Sequence, residues 1–165
     1  MDRDLLLSIA RESLQSVSVP RFFDSERGYQ GALLGELSKR LPQDFLHEGV
    51  VVEQEYQKRL AAHGTKIRPD VVIHEPFNAA RHTDRRAGNI AVIELKLRAS
   101  NADAEADYKD LVMMIDVLRY PLGLFVDIAS EVTYAELIPP DAKGRVVAFA
   151  VSLRDGRVHV VEART

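Results

Sequence analysis

Apolar residues at Leu5, Leu6, Ile9, Leu14 and Val17 approximate a helical stripe and predict a first helix over 4–17 that stops before Pro20. A second stripe, Leu33, Leu34, Leu37 and Leu41, runs up to Pro42. Asp24-Ser25 can cap its start, because short side-chain oxygens accept from the free N–H groups of a first turn. From Val50 the period changes. Residues 50–56, 67–74 and 90–97 are rich in β-branched side chains and predict three strands. The stretch 57–66, with His63-Gly64, predicts a hairpin turn between the first two. The gap 75–89 is longer and contains Pro76, Asn78 and Gly88, a length expected of a functional or disordered loop. Residues 102–119 are helical in composition, with Tyr108, Leu111, Val112, Ile115 and Leu118 on one face. The nearly all-apolar run 122–128 predicts a strand buried on both faces. Two last strands, 145–153 and 157–162, flank Asp155-Gly156, a strong hairpin signal. The order α, α, β, β, β, α, β, β, β predicts an α/β fold: a mixed sheet flanked by helices.

The 165 residues contain neither a repeat nor a Gly-, Ser- or Pro-rich linker, so 1–165 is expected to be a single domain. The absence of cysteine excludes disulfides, thiolate zinc sites, iron–sulfur clusters and a cysteine nucleophile, and it suits a reducing cytoplasm. No apolar run approaches the ~18 residues of a membrane span. The N-terminus carries Asp2 and Asp4 where a signal peptide is positive. A soluble, cytoplasmic protein is expected. The formal charge is −3, but it is unevenly spread. Between residues 81 and 98 five cations (Arg81, Arg85, Arg86, Lys96, Arg98) face two anions, whereas 99–141 holds nine anions and two cations.

The residues with chemical promise are Arg68-Pro69-Asp70 at one strand and Ile93-Glu94-Leu95-Lys96 at the next. Alternate side chains of a strand share a face, so Glu94 and Lys96 point one way and Leu95 points into the core. An ion pair on a half-exposed strand is the plain explanation, but the run 91–97 is otherwise apolar and both its faces are expected to be covered. Twenty-three residues separate Asp70 from Glu94, enough to finish one strand, make the Arg-rich loop and return antiparallel beside it. Two carboxylates and an ammonium would then converge. Mg²⁺ is commonly held by one or two carboxylates and completed by water and substrate phosphate. The five histidines show no H-E-x-x-H spacing, and no P-loop, G-x-S-x-G elbow or dinucleotide fingerprint is present.

Pro69-Asp70 followed by Glu94-Leu95-Lys96 resembles the motif of the PD-(D/E)XK nuclease superfamily, and the likeness covers about residues 25–128. It implies a restriction-endonuclease-like αβββαβ core, to which an N-terminal helix and a C-terminal β-hairpin are added. It further implies Asp70 and Glu94 as metal ligands with the backbone carbonyl of Leu95, Lys96 at the attacking water, and an acid on the first core helix. Glu26 is assigned that last place, with Glu36 on the same helix and Glu53 or Glu55 on the first strand as alternatives. The polar residue that such families often carry on the following helix has no clear counterpart among Tyr108, Lys109 and Asp110. The implied activity is hydrolysis of DNA with Mg²⁺, for which Mn²⁺ would substitute. Gln30, Arg81, Arg85, Arg86 and Arg98 are candidates for nucleic-acid contact, and a homodimer or larger assembly is compatible with the reading. The competing expectation is a non-catalytic protein of the same fold, binding or scaffolding within a nucleic-acid-processing or defence assembly.

Overall fold

The structure is a computed structural model that describes residues 2–54, 68–84 and 86–164. Its helices are α1 (Arg3–Ser16), α2 (Glu26–Arg40), α3 (Gln43–His47) and α4 (Asn101–Leu118). Its strands are β1 (Val51–Gln54), β2 (Val71–His74), β3 (Asn89–Leu97), β4 (Leu122–Ile128), β5 (Val146–Arg154) and β6 (Arg157–Arg164). The long helices start where short polar side chains replace the missing intrahelical acceptors. The Asp2 carboxylate accepts from the Asp4 N–H, and the Ser25 hydroxyl accepts from the Gly28 N–H at 3.2 Å. Ser100 and Asp103 form a reciprocal capping box on α4. Of the expected cap pair before α2, Ser25 does the capping, while Asp24 closes a 3-10 turn over Pro20–Asp24.

The six strands lie in one mixed sheet in chain order. β1, β2 and β3 pair antiparallel, β3, β4 and β5 pair parallel, and β6 returns antiparallel along β5. That last hairpin turns through Asp155 and Gly156, both at positive φ (49° and 72°), as a two-residue hairpin loop requires. α1 and α2 cover one face, over Ile93, Leu95, Leu124, Val126 and Phe149. α4 covers the other, over Val72, Val92, Phe125 and Ala148. A side chain on Gly123 would bring its Cβ within 3.1 Å of Ile115 Cδ1, so the glycine lets α4 settle closely on β4. β4 is buried along its whole length, as its composition predicts. Among the described residues no helix is long and apolar enough to cross a membrane.

Two differences from the sequence reading are seen, at the start of β2 and at α3. β2 begins at Val71 rather than at 67, because Pro69 has no N–H to give a ladder and Asp70 turns its side chain to another use. The predicted turn 57–66, the end of the first predicted strand and Ile67 lie outside the described residues. The five-residue α3 was not foreseen, since its segment lacks an apolar period.

The described part of the 75–89 loop is held by its own bonds. Glu75 N–H donates to the Gly88 carbonyl at 2.9 Å, the Arg81 and His82 N–H groups donate to the Asn78 carbonyl, and the Asp84 carboxylate accepts from the Arg86 and Ala87 N–H groups. Gly88 has φ +87°, and a Cβ there would lie 2.7 Å from the Glu75 carbonyl oxygen. Gly88→Ala is therefore expected to destabilise the fold by more than about 1 kcal/mol, read as a lower midpoint in urea unfolding.

Candidate active site

The ladder between β2 and β3 ends at the pair Val71–Ile93. Beyond it, the N–H groups of Leu95 and Leu97 leave β3 on the same edge, and among the described residues no strand receives them. Buried N–H groups seldom go unpaired, and here carboxylates take the strand's place. Leu95 N–H donates to Asp70 Oδ2 at 2.7 Å, and Leu97 N–H donates to Glu26 Oε2 at 3.0 Å. Gln30 Nε2 donates to the Asp70 carbonyl at 2.6 Å and so holds the turn that presents Asp70. Glu26 and Gln30, one helical turn apart at the start of α2, thus both act on the gap where β2 leaves β3.

Glu94 and Lys96 project from β3 toward α4, the face opposite Leu95, as the strand period predicts. Glu94 is only 8% exposed, and its carboxyl shares a hydrogen bond with Asp70. Burial, then the charges of Asp70 and Asp107, push Glu94 well above the usual carboxylate range. Burial raises Asp70 as well, but the bond from Leu95 N–H favours its anion. The pair therefore holds a proton on Glu94 that hydrogen-bonds to an ionised Asp70.

Lys96 is half-buried. Burial works against its charge, but Asp107, Glu26, Asp70 and Asp103 outweigh burial and raise its pKa, so it remains an ammonium. Its Nζ lies 3.9 Å from Asp107 Oδ2. Burial pushes Asp107 up to about 7 despite that ammonium, and its Oδ2 is buried with no hydrogen-bond partner among the described residues. Beside these groups a cleft of about 260 Å³ is lined by Glu26, Arg27, Gln30, Arg68 and Asp70.

The donors fit a hard divalent cation. Asp70 and Glu94 supply carboxylate oxygens, and the Leu95 carbonyl leaves β3 on the same edge as its N–H. Among the described residues no three His, Cys, Asp or Glu side chains form a ready cage, so any bound cation would need water or substrate oxygens as well. The orphaned Asp107 oxygen is a further acceptor in the same neighbourhood.

The fold thus brings together Glu26, Gln30, Asp70, Glu94, Leu95 and Lys96, and it leaves Arg98, exposed and at φ 53°, immediately after β3. Glu36 is instead paired with Lys39 and Arg40, and Glu53 with His74 at 2.7 Å. Glu55 and Arg85 lie outside the described residues. Arg81 and Arg86 belong to the loop at the opposite end of β2, about 13 Å of strand from Asp70. Arg81 is there paired with Glu75 and bonded to the Glu48 carbonyl. Asp107 is the site residue that the sequence reading passed over. The signal was present: Ala104, Asp107, Tyr108 and Leu111 follow i, i+3, i+4, i+7, which puts an acid in the buried stripe of α4. No family model matches the chain, and none of the curated proteins compared with it is similar to it.

The raised carboxyls make stability depend on pH with a definite sign. Above the ordinary carboxylate range the unfolded chain has released a proton that folded Glu94 retains, so stability falls as pH rises toward the raised value. Glu94→Gln keeps an N–H donor for Asp70 without that proton. It is expected to exceed the wild type in stability at pH 8, with the difference shrinking at pH 5, in urea titrations with EDTA present.

Proposed function

We propose that this chain is a divalent-metal-dependent nuclease of the PD-(D/E)XK, restriction-endonuclease-like kind that hydrolyses phosphodiester bonds of DNA. The observation that carries the reading is the convergence, where β2 leaves β3, of a proton-sharing carboxyl pair, an edge carbonyl and an ammonium. The order α2, β1, β2, β3, α4, β4, with Pro69-Asp70 leading into β2 and Glu94-Leu95-Lys96 on β3, supports the family named on the motif. Asp70 and Glu94 would hold Mg²⁺ or Mn²⁺ together with the Leu95 carbonyl. Such a cation, when bound, neutralises the carboxylates and stabilises charge developing on the phosphoryl oxygens.

The chain's own groups divide the remaining work. Lys96, kept charged by the surrounding acids, donates to the attacking water or a phosphate oxygen and does not act as a base. Asp107 counterbalances and orients that ammonium. Glu26 and Gln30 hold β3's edge and the Asp70 turn, so the oxygens stay in place as charge shifts. The acids around Lys96 disfavour a bare phosphate, and a bound cation would offset their charge for substrate as well as for chemistry.

Lys96→Ala is expected to reduce Mg²⁺-dependent cleavage of duplex or single-stranded DNA by roughly 10²-fold or more with an unchanged circular dichroism spectrum. Undiminished cleavage would overturn the mechanism. Titration of Mn²⁺ in the presence of a short DNA duplex is expected to show binding by the wild type and none by the Asp70→Asn, Glu94→Gln double variant. Binding should strengthen from pH 6 to pH 8, because the cation displaces the Glu94 proton. Absence of binding by the wild type with DNA present would favour the non-catalytic scaffold.

A further inference from the structure

The largest cleft described, about 580 Å³, is separate from the carboxylate site and lies at the carboxyl ends of the three parallel strands β3, β4 and β5. The volume falls in the range of small-molecule sites. Two residues without the glycine exemption, Arg98 (φ 53°) and Ala129 (φ 56°), take left-handed backbone as the chain leaves β3 and β4. Both line the cleft, and their turns carry the chain away from the strand ends and leave them open. Strained backbone of this kind tends to gather at ligand sites.

The lining states what would fit. Arg98 is exposed, and its guanidinium enters no salt bridge among the described residues. Arg154, the other cation, is paired with Glu131 at 2.8 Å, and Asp24 adds a second acid. One uncommitted guanidinium among balanced charges is a poor trap for a free anion but suits the single phosphate of a larger body. Pro20, Phe23 and Leu153 supply an apolar wall for that body, while the carboxylates of Asp24 and Glu131 can accept from amino or hydroxyl groups. Arg98 directly follows Leu97, which Glu26 holds, and Asp24 lies two residues before Glu26. Two segments that line the cleft therefore continue directly into the carboxylate site.

We propose that this cleft is a nucleotide subsite that takes the nucleoside monophosphate unit next to the scissile phosphodiester, with its phosphate on Arg98 and its base against Pro20 and Leu153, over the buried Phe23. The assignment of that unit to a substrate strand rests on the nuclease reading, whereas occupancy by a nucleotide does not. Arg98 is then a phosphate-positioning contact one residue beyond the strand that carries Glu94 and Lys96.

The test uses the full chain in EDTA, so neither metal nor hydrolysis enters. Deoxyadenosine 5′-monophosphate is titrated into the wild type, Lys96→Ala and Arg98→Gly, with the amide shifts of Ala129, Ser130 and Leu153 as readout. Arg98→Gly keeps the left-handed backbone at no steric cost and removes only the guanidinium. Saturable shifts of equal affinity in the wild type and Lys96→Ala are expected, with roughly tenfold weaker binding in Arg98→Gly and for inorganic phosphate. No saturable shift, equal affinity in Arg98→Gly, or phosphate binding as well as the nucleotide would each overturn the subsite. Cleavage of DNA by a protein that ignores the mononucleotide overturns the subsite alone. Mononucleotide binding by a protein that never cleaves overturns the nuclease reading and leaves the cleft's occupant as proposed.

Discussion

Two backbone N–H groups on the edge of β3, those of Leu95 and Leu97, must be satisfied after β2 has turned away, and the arrangement of the site follows from how this is done. Continued pairing of β2 with β3 beyond Val71 and Ile93 would have closed the edge with ordinary ladder bonds. Pro69 prevents that, and the carboxylates of Asp70 and Glu26 bind the two N–H groups instead. This places two acids at fixed points on a rigid strand without long, mobile side chains. It also requires α2 to begin where it does. Ser25 caps the helix, Glu26 is its first residue, and Gln30 one turn later reaches the Asp70 carbonyl. Sheet edge, helix start and site are one construction.

The same construction concentrates charge that the fold must tolerate. Glu94 and Asp107 are raised chiefly by burial, and Asp107 keeps an oxygen without a hydrogen-bond partner among the described residues. Such groups lower stability at neutral pH and persist because the surrounding packing over-determines their positions. That packing is supplied by α4, which Gly123 allows to lie close on β4, with Tyr108, Leu111 and Ile115 buried beneath it. The helix that anchors this face also carries Asp107. Lys96 is the one cation set among these acids, and their field keeps it charged.

Position along the parallel strands separates the remaining charged groups. The end of β3 that carries Leu95 and Leu97 also opens toward the larger cleft beside Arg98, Ala129 and Arg154. The arginine-bearing loop lies at the other end of β2, where Arg81 is engaged by Glu75 and the Glu48 carbonyl. Among the described residues, cations that are close in sequence to Glu94 are therefore distributed to both ends of the sheet, with Lys96 and Arg98 at the end that carries the carboxylates.

Periodicity by itself determined much of this protein: the long helices, the buried strand β4, the Asp155-Gly156 hairpin and the sharing of one face by Glu94 and Lys96, because these depend on nearest-neighbour geometry along the chain. Glu26 was named from the resemblance and not from periodicity, and its bond to the Leu97 N–H, beside that of Gln30 to the Asp70 carbonyl, belongs to the tertiary structure. The start of β2 was read too early, since β-branched composition reports strand propensity but not where a partner strand departs. Asp107 was missed although it sits in the buried stripe of α4, because a helix period shows that an acid is buried and not what it faces. The proton shared by Asp70 and Glu94, the acids around Lys96 and the cleft at the strand ends arise from residues far apart in sequence meeting in a low-dielectric interior. Only the tertiary structure decides those, since burial and charge proximity are properties of the packed sheet and helices and have no local signature.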